Sequence, residues 1–172
     1  MTKQRMTLIS LVGILVFSIL LSGQIIYQHN WVDAKILNQS RQINGIESAK
    51  VMRVNDMQYL EVMTGHVADL PRVTQDILKL SSGKAILLRD NRNGHLQLVF
   101  NKMQFALQEA IARGNFSEMA QNIEQKASLA DVNLSLSMDS DYIYLTLDEE
   151  QSQLVAVLER HNQGRFLPSE SK

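Results

Sequence analysis

The chain holds 172 residues, enough for one domain with an anchor. Its 17 Lys and Arg stand against 18 Asp and Glu with no basic run, which sets nucleic acid aside because phosphate contacts call for a strongly basic surface. The absence of cysteine excludes disulfides, thiolate metal sites and a cysteine nucleophile.

Residues 1–5 form a short N-terminus, expected to be cytoplasmic. Met6 to Gln28 is an uncharged, mainly apolar stretch long enough to cross a hydrocarbon core as a helix. Tyr27 and Trp31 sit where interfacial aromatics belong. A cleaved signal peptide is the competing reading, but the candidate cut at Gly23 has Leu21 two places earlier and Ile25, Ile26 and Tyr27 beyond it. The segment therefore reads as a retained signal anchor, with the bilayer as its partner. Lys3, Arg5 and the free amino terminus before it outweigh Lys35 and Arg41 with Asp33 after it, so the C-terminal domain is expected outside the cytoplasm of a single-pass membrane protein. Without Lys3 and Arg5 the charge balance is 15 against 18, close to neutral.

Residues 29–45 continue as an amphipathic stalk, with Val32, Ile36 and Ile43 at helical spacing and a stop near Gly45. Residues 46–163 then alternate hairpins with helices. The first hairpin pairs Ala49 to Val54 with Met57 to Met63 around Asn55 and Asp56. Leu70, Val73, Ile77 and Leu80 make a helix with Pro71 in its first turn and Gly83 as its stop.

A second hairpin is expected from Ala85 to Leu88 and His95 to Phe100, with Asp90 to Gly94 as its turn. Met103, Leu107, Ala110 and Ile111 mark a helix ended by Gly114. Asn115 and Glu118 open another, whose stripe carries Phe116, Met119, Ile123 and Ala127. The third hairpin is the clearest. Val132, Leu134, Leu136 and Met138 alternate with polar residues, as do Ile143, Leu145 and Leu147. Asp148 and Gln151 cap a predicted last helix through Leu154, Val155 and Leu158, and residues 164–172 read as a disordered tail. The fold class is α+β, a transmembrane helix and stalk followed by antiparallel hairpins and helices, as one sheet or two ferredoxin-like subunits.

No motif specifies a reaction. Asp90 to Gly94 lacks the ligand spacing of a calcium loop, because Arg92 stands where an oxygen ligand belongs. The four histidines, His29, His66, His95 and His161, show neither HxxxH nor HExxH spacing. Ser81 to Lys84 ends like a phosphate loop but has Ala85 where a magnesium-binding hydroxyl would stand. No cofactor, metal ligand or catalytic residue is assigned. Tyr142, Tyr144 and Thr146 share one face of the third hairpin, as an exposed contact surface or as a face covered by a helix.

The function expected is that of a non-enzymatic, extracytoplasmic interaction or assembly domain, with a protein partner or self-association. Such domains recur in bacterial envelope, secretion and sporulation machines. A small-ligand sensor module is the alternative, and an enzyme built on His66 or His95 with Asp90 is a third reading.

Overall fold

A computed structural model of the chain describes Ser18, Ile36 and residues 38–54 and 57–172. The chain divides into two units, Met1–Ile36 and Leu37–Lys172. Only Ser18 and Ile36, both helical, are described in the first. The predicted span Met6 to Gln28, its interface residues Tyr27 and Trp31, and the stalk before residue 36 otherwise lie outside the described residues. Among the described residues, no helix is long and apolar enough to cross a membrane. The described strands all belong to the second unit.

Residues 38–40 are helical, and the chain then turns at Gly45, where φ is +87°. A Cβ there would lie 2.9 Å from the carbonyl oxygen of His66, so this turn requires glycine for both conformation and space. Strand β1 (Ile46–Val54) pairs antiparallel with β2 (Met57–Thr64), and Val54 opposite Met57 sets the predicted first hairpin. Helix α1 (Leu70–Ser81) starts where the Asp69 carboxylate accepts the Arg72 N–H at 3.1 Å. It buries Leu70, Val73 and Ile77, the 3-4 spacing of a one-sided helix, and closes through Ser82 and Gly83, both at positive φ.

The next strand, β3 (Ala85–Asp90), is not half of a hairpin. It lies parallel to β2, with Leu60 opposite Ile86, because α1 carries the chain back across the sheet. Residues His95 to Phe100, predicted as its return strand, belong to helix α2 (Gly94–Arg113). The alternation of Leu96, Leu98 and Phe100 misleads over six residues. Over the whole helix the buried positions are Leu96, Val99, Phe100, Met103, Ala106, Leu107 and Ala110, a helical stripe that leaves Leu98 exposed.

Helix α3 (Phe116–Leu129) follows α2 after the Gly114 turn, as predicted. A three-stranded antiparallel sheet completes the chain's second layer: β4 (Asn133–Met138), β5 (Tyr142–Glu149) and β6 (Ser152–Glu159). The third predicted hairpin is β4 and β5, with Leu136 opposite Leu145. The predicted last helix is instead β6. Gln153, Leu154, Val155, Ala156 and Val157 are all buried, so this strand is covered on both faces, and from Leu154 to Leu158 it reads as an unbroken apolar run without alternation.

One face of β5 and β6 packs on the two long helices, bringing Ile143, Leu145, Leu147 and Leu154 against Met103, Leu107 and Ile123. Each such fully buried aliphatic side chain contributes about 1.5–3 kcal/mol. The C-terminal segment is a further correction to the sequence reading. The Ile86 N–H donates to the carbonyl of Arg165 and the Leu167 N–H to that of Ile86, and β7 (Glu170–Ser171) pairs with Arg89 and Asp90. Backbone bonds to a sheet edge hold residues that composition alone marked as disordered. The architecture is α+β, a mixed sheet in the order β1-β2-β3-β7 and an antiparallel sheet β4-β5-β6.

Candidate functional site: the open edge of strand β6

The geometry of β6 starts at its turn. Glu149 and Ser152 pair across two residues, of which Glu150 has φ +51°, a tight hairpin connection. In an antiparallel ladder alternate residues point their backbone groups toward the partner strand. With Ser152 bonded to β5, and Arg160 donating to the Asp141 carbonyl at 2.8 Å, the odd-numbered residues of β6 face away from β5. Two of these outward N–H groups are met by side chains from the end of β3. The Gln153 N–H donates to Asn91 Oδ1 at 3.0 Å and the Val155 N–H to Asp90 Oδ2 at 2.8 Å.

Beyond Val155 the edge opens onto a groove of about 580 Å³. Its walls are α2, through Gln97, Phe100, Gln104, Gln108 and Ile111, and the C-terminal segment from Phe166 to Ser169. Ala156, Val157, Leu158 and Glu159 all line it, so residues of both faces of β6 border one space. That happens when a groove meets a strand edge-on.

A sealed ion pair closes one end. Asp90 Oδ1 accepts from Arg92 Nε at 2.6 Å and from the Arg92 N–H at 3.1 Å, while Oδ2 accepts from Nη2 at 2.6 Å. Arg92 also donates to Gln97 Oε1 at 2.9 Å and to Ser169 Oγ at 2.7 Å. Asp90 ends β3, and Asn93 caps α2 by accepting the Leu96 N–H at 2.8 Å. The segment predicted as a hairpin turn is thus a strand-to-helix joint that ties β3, α2, β6 and the C-terminal segment together.

Two histidine–carboxylate pairs lie at the β5–β6 turn. His95 Nδ1 is 2.8 Å from Glu149 Oε1, and Asn93 donates to Glu149 Oε2 at 2.7 Å. The Asn93 bond first, then that of His95, holds the Glu149 carboxyl below its ordinary pKa. His66 stands 3.5 Å from Asp148, which accepts from Gln153 Nε2 at 2.7 Å. Buried Gln153 also bonds both backbone groups of Val67, at 2.7 and 3.0 Å, and so acts as one rung of a sheet. The enzyme reading required His66 or His95 to face Asp90. Each histidine faces a different carboxylate, and Asp90 is engaged by Arg92. Among the described residues, no three His, Asp or Glu side chains are placed to hold a metal ion.

Tyr142, Tyr144 and Thr146 do come together on one face of β5, but all three are buried, so they present no contact surface. Tyr142 packs edge-on against Phe166, with ring centroids 5.5 Å apart. Tyr144 donates its hydroxyl to Asp139 Oδ2 at 2.6 Å, and burial first, then this bond, pushes the phenol pKa far up. Tyr144 and Thr146 face Leu70 and Pro71 at the start of α1. The C-terminal segment and α1 are what cover the face.

The outer sheet carries a second charged system. Glu61 Oε2 lies 2.7 Å from Lys50 Nζ, Glu61 Oε1 lies 2.5 Å from Arg89 Nε, and Arg89 Nη2 lies 2.9 Å from Glu170. Charges of alternating sign thus run across all four strands. Burial pushes the Glu61 carboxyl up, but the hydrogen bonds from Lys50 and Arg89 outweigh it and leave the pKa below its ordinary value.

Sequence reasoning missed the groove. Its signal was present as Gln97, Gln104, Gln108 and Ile111, which recur at helical spacing on one face of α2. A small α+β domain with a recessed, half-open strand edge is the class these features define. Comparison with protein-family models, with curated proteins and with solved structures finds no match.

Proposed function

We propose that this chain is a single-pass, membrane-anchored interaction or assembly domain, non-enzymatic and held outside the cytoplasm, of the kind used in bacterial envelope, secretion or sporulation assemblies. The apolar run from Met6 to Gln28 and the charge bias around it support the tether and its direction. The single observation that carries the interaction reading is the open half of β6, a strand edge bordered by a groove large enough for a ligand. Anchoring raises the local concentration of such a surface at the membrane, which strengthens weak contacts.

The test is topological. With a reporter fused after Lys172, protease added to intact cells removes the reporter, and the protein keeps the full mass of its N-terminal segment. A protected reporter reverses the orientation, and a mass lacking the first twenty-odd residues removes the anchor. The polar groups converging on the same groove, among them Gln97, Gln104 and Asn162, favour a second reading as a small-ligand sensor. A metabolite set that shifts the melting temperature of the full chain, with the shift abolished by Gln104→Ala, would select that reading.

A further inference from the structure

We infer that the open half of β6 accepts an extended, uncharged segment of a partner polypeptide as an added strand. The inference rests on the interaction reading above and names its partner's chemistry. Val157 and Glu159 turn their backbone N–H and C=O away from β5 by the same register that turns out Gln153 and Val155. Asn91 and Asp90 occupy the neighbouring-strand position for the first two outward N–H groups and stop there. The edge is therefore built in two halves, one closed by side chains of this chain and one left to the groove. Four residues, Ala156 to Glu159, offer roughly 13 Å of edge at a strand rise of about 3.3 Å per residue.

Three properties of the groove choose the occupant. The edge is recessed between α2 and the C-terminal segment, so a second copy, whose own β6 is flanked in the same way, cannot bring its edge into register. A single extended chain can. The charged side chains lining the space are Arg92 and Glu159, and both are engaged internally. Arg92 is held by Asp90, Gln97 and Ser169, and the Glu159 carboxylate accepts from the N–H groups of Gly164, Arg165 and Phe166. Asp90 neutralises Arg92, and the Glu159 oxygens already accept three backbone hydrogen bonds, so neither group is free to bond an ionic side chain. Gln104 and Gln108 each offer a donor and an acceptor, which suits the second edge of an inserted backbone, while Phe100 and Ile111 suit an apolar side chain.

The test selects a random-peptide phage library against the purified full chain in detergent micelles and measures amide exchange with the enriched synthetic peptide. Uncharged peptides are expected to slow exchange at Val157 and Glu159 by about tenfold or more. Val157→Pro removes an N–H that β5 does not use, so it should weaken binding by at least about tenfold while β6 still pairs. Gln108→Trp, on the exposed wall of α2, fills the groove without altering the sequence of β6 and carries the same expectation if the proline variant fails to fold. No enrichment over an empty target, unchanged exchange at both amides, or binding indifferent to the substitutions overturns the inference. An accessible reporter without any selected peptide removes strand addition and leaves the tethered domain. A protected reporter with a selected peptide does the reverse.

Discussion

Two charged systems in this domain are built on opposite terms. At the joint between β3 and α2, Asp90 and Arg92 are sealed on both sides, with side chains 0% and 2% exposed. In the outer sheet only Glu61 is sealed, at 6%, and its partners Lys50 and Arg89 reach solvent at 54% and 28%. A sealed pair repays desolvation only while every partner stays in place. A graded ladder can lose one end and let water take over. The first should therefore be intolerant of single changes and the second forgiving.

The largest effect is expected from Asp90→Ala, which strands the Arg92 guanidinium and frees the Val155 N–H. It should cost about 3–5 kcal/mol in equilibrium urea unfolding. The paired replacement Asp90→Leu with Arg92→Met should cost less than the single change, because no buried charge is left alone. A double variant as damaged as the single one would mean that the joint depends on its hydrogen-bond geometry instead.

Next comes Glu61→Gln, expected to lower stability by about 1–2 kcal/mol at neutral pH, since it weakens two charge-assisted bonds at a buried carboxylate. The folded-state pKa of Glu61 lies below its ordinary value of 4.5. The stabilisation is thus complete above the unfolded pKa and disappears as pH falls through the lower folded one. Urea midpoints of the parent and the variant should converge in acid, in the window beneath 4.5. Parallel curves down to full protonation would show that the ladder acts through shape and not charge.

Tyr144→Phe removes one buried hydrogen bond and should cost about 1 kcal/mol. Burial raises the Asp139 pKa, and bonds from Tyr144 and from the N–H groups of Tyr142 and Asp141 bring it below its ordinary value. The Asp139 titration followed by NMR should therefore move upward in the variant. The smallest effect belongs to the outer ends of the ladder. Lys50→Ala or Glu170→Ala should change stability by less than about 0.5 kcal/mol, and added salt should shrink even that.

Local pattern was sufficient where one element has one buried face. Alternation in β4, and the stripes of α1 and α3, are legible because burial and period agree within a single segment. β5 is covered on both sides yet stays legible, because Tyr142, Tyr144 and Thr146 keep hydroxyl-bearing residues in alternation with Ile143, Leu145 and Leu147. The signals fail where both covered faces are aliphatic. In β6 the run from Leu154 to Leu158 has no polar face, and its Leu154, Val155 and Leu158 match a helical stripe equally well. The start of α2 fails for the opposite reason. Six residues of apparent alternation outweighed Asn93 as a cap and the longer stripe beyond it.

The candidate site was less legible than the fold. Its polar row Gln97, Gln104 and Gln108 can be found on α2, but nothing near those residues says that β6 stands opposite. The face of Tyr142, Tyr144 and Thr146 is covered by residues far along the chain, Phe166 on one side and Leu70 and Pro71 on the other.

The class of the domain, its clearest hairpins, two of its helices and the exclusion of cysteine chemistry were all legible in the order of residues. They depend on period, capping and composition over neighbouring residues. Long-range packing sets the rest: β3 runs parallel to β2, residues 165–171 join a sheet edge, and half of β6 stays open beside α2. Those features are pairings between segments far apart in sequence. Backbone groups meet their partners only after the core has brought the segments together.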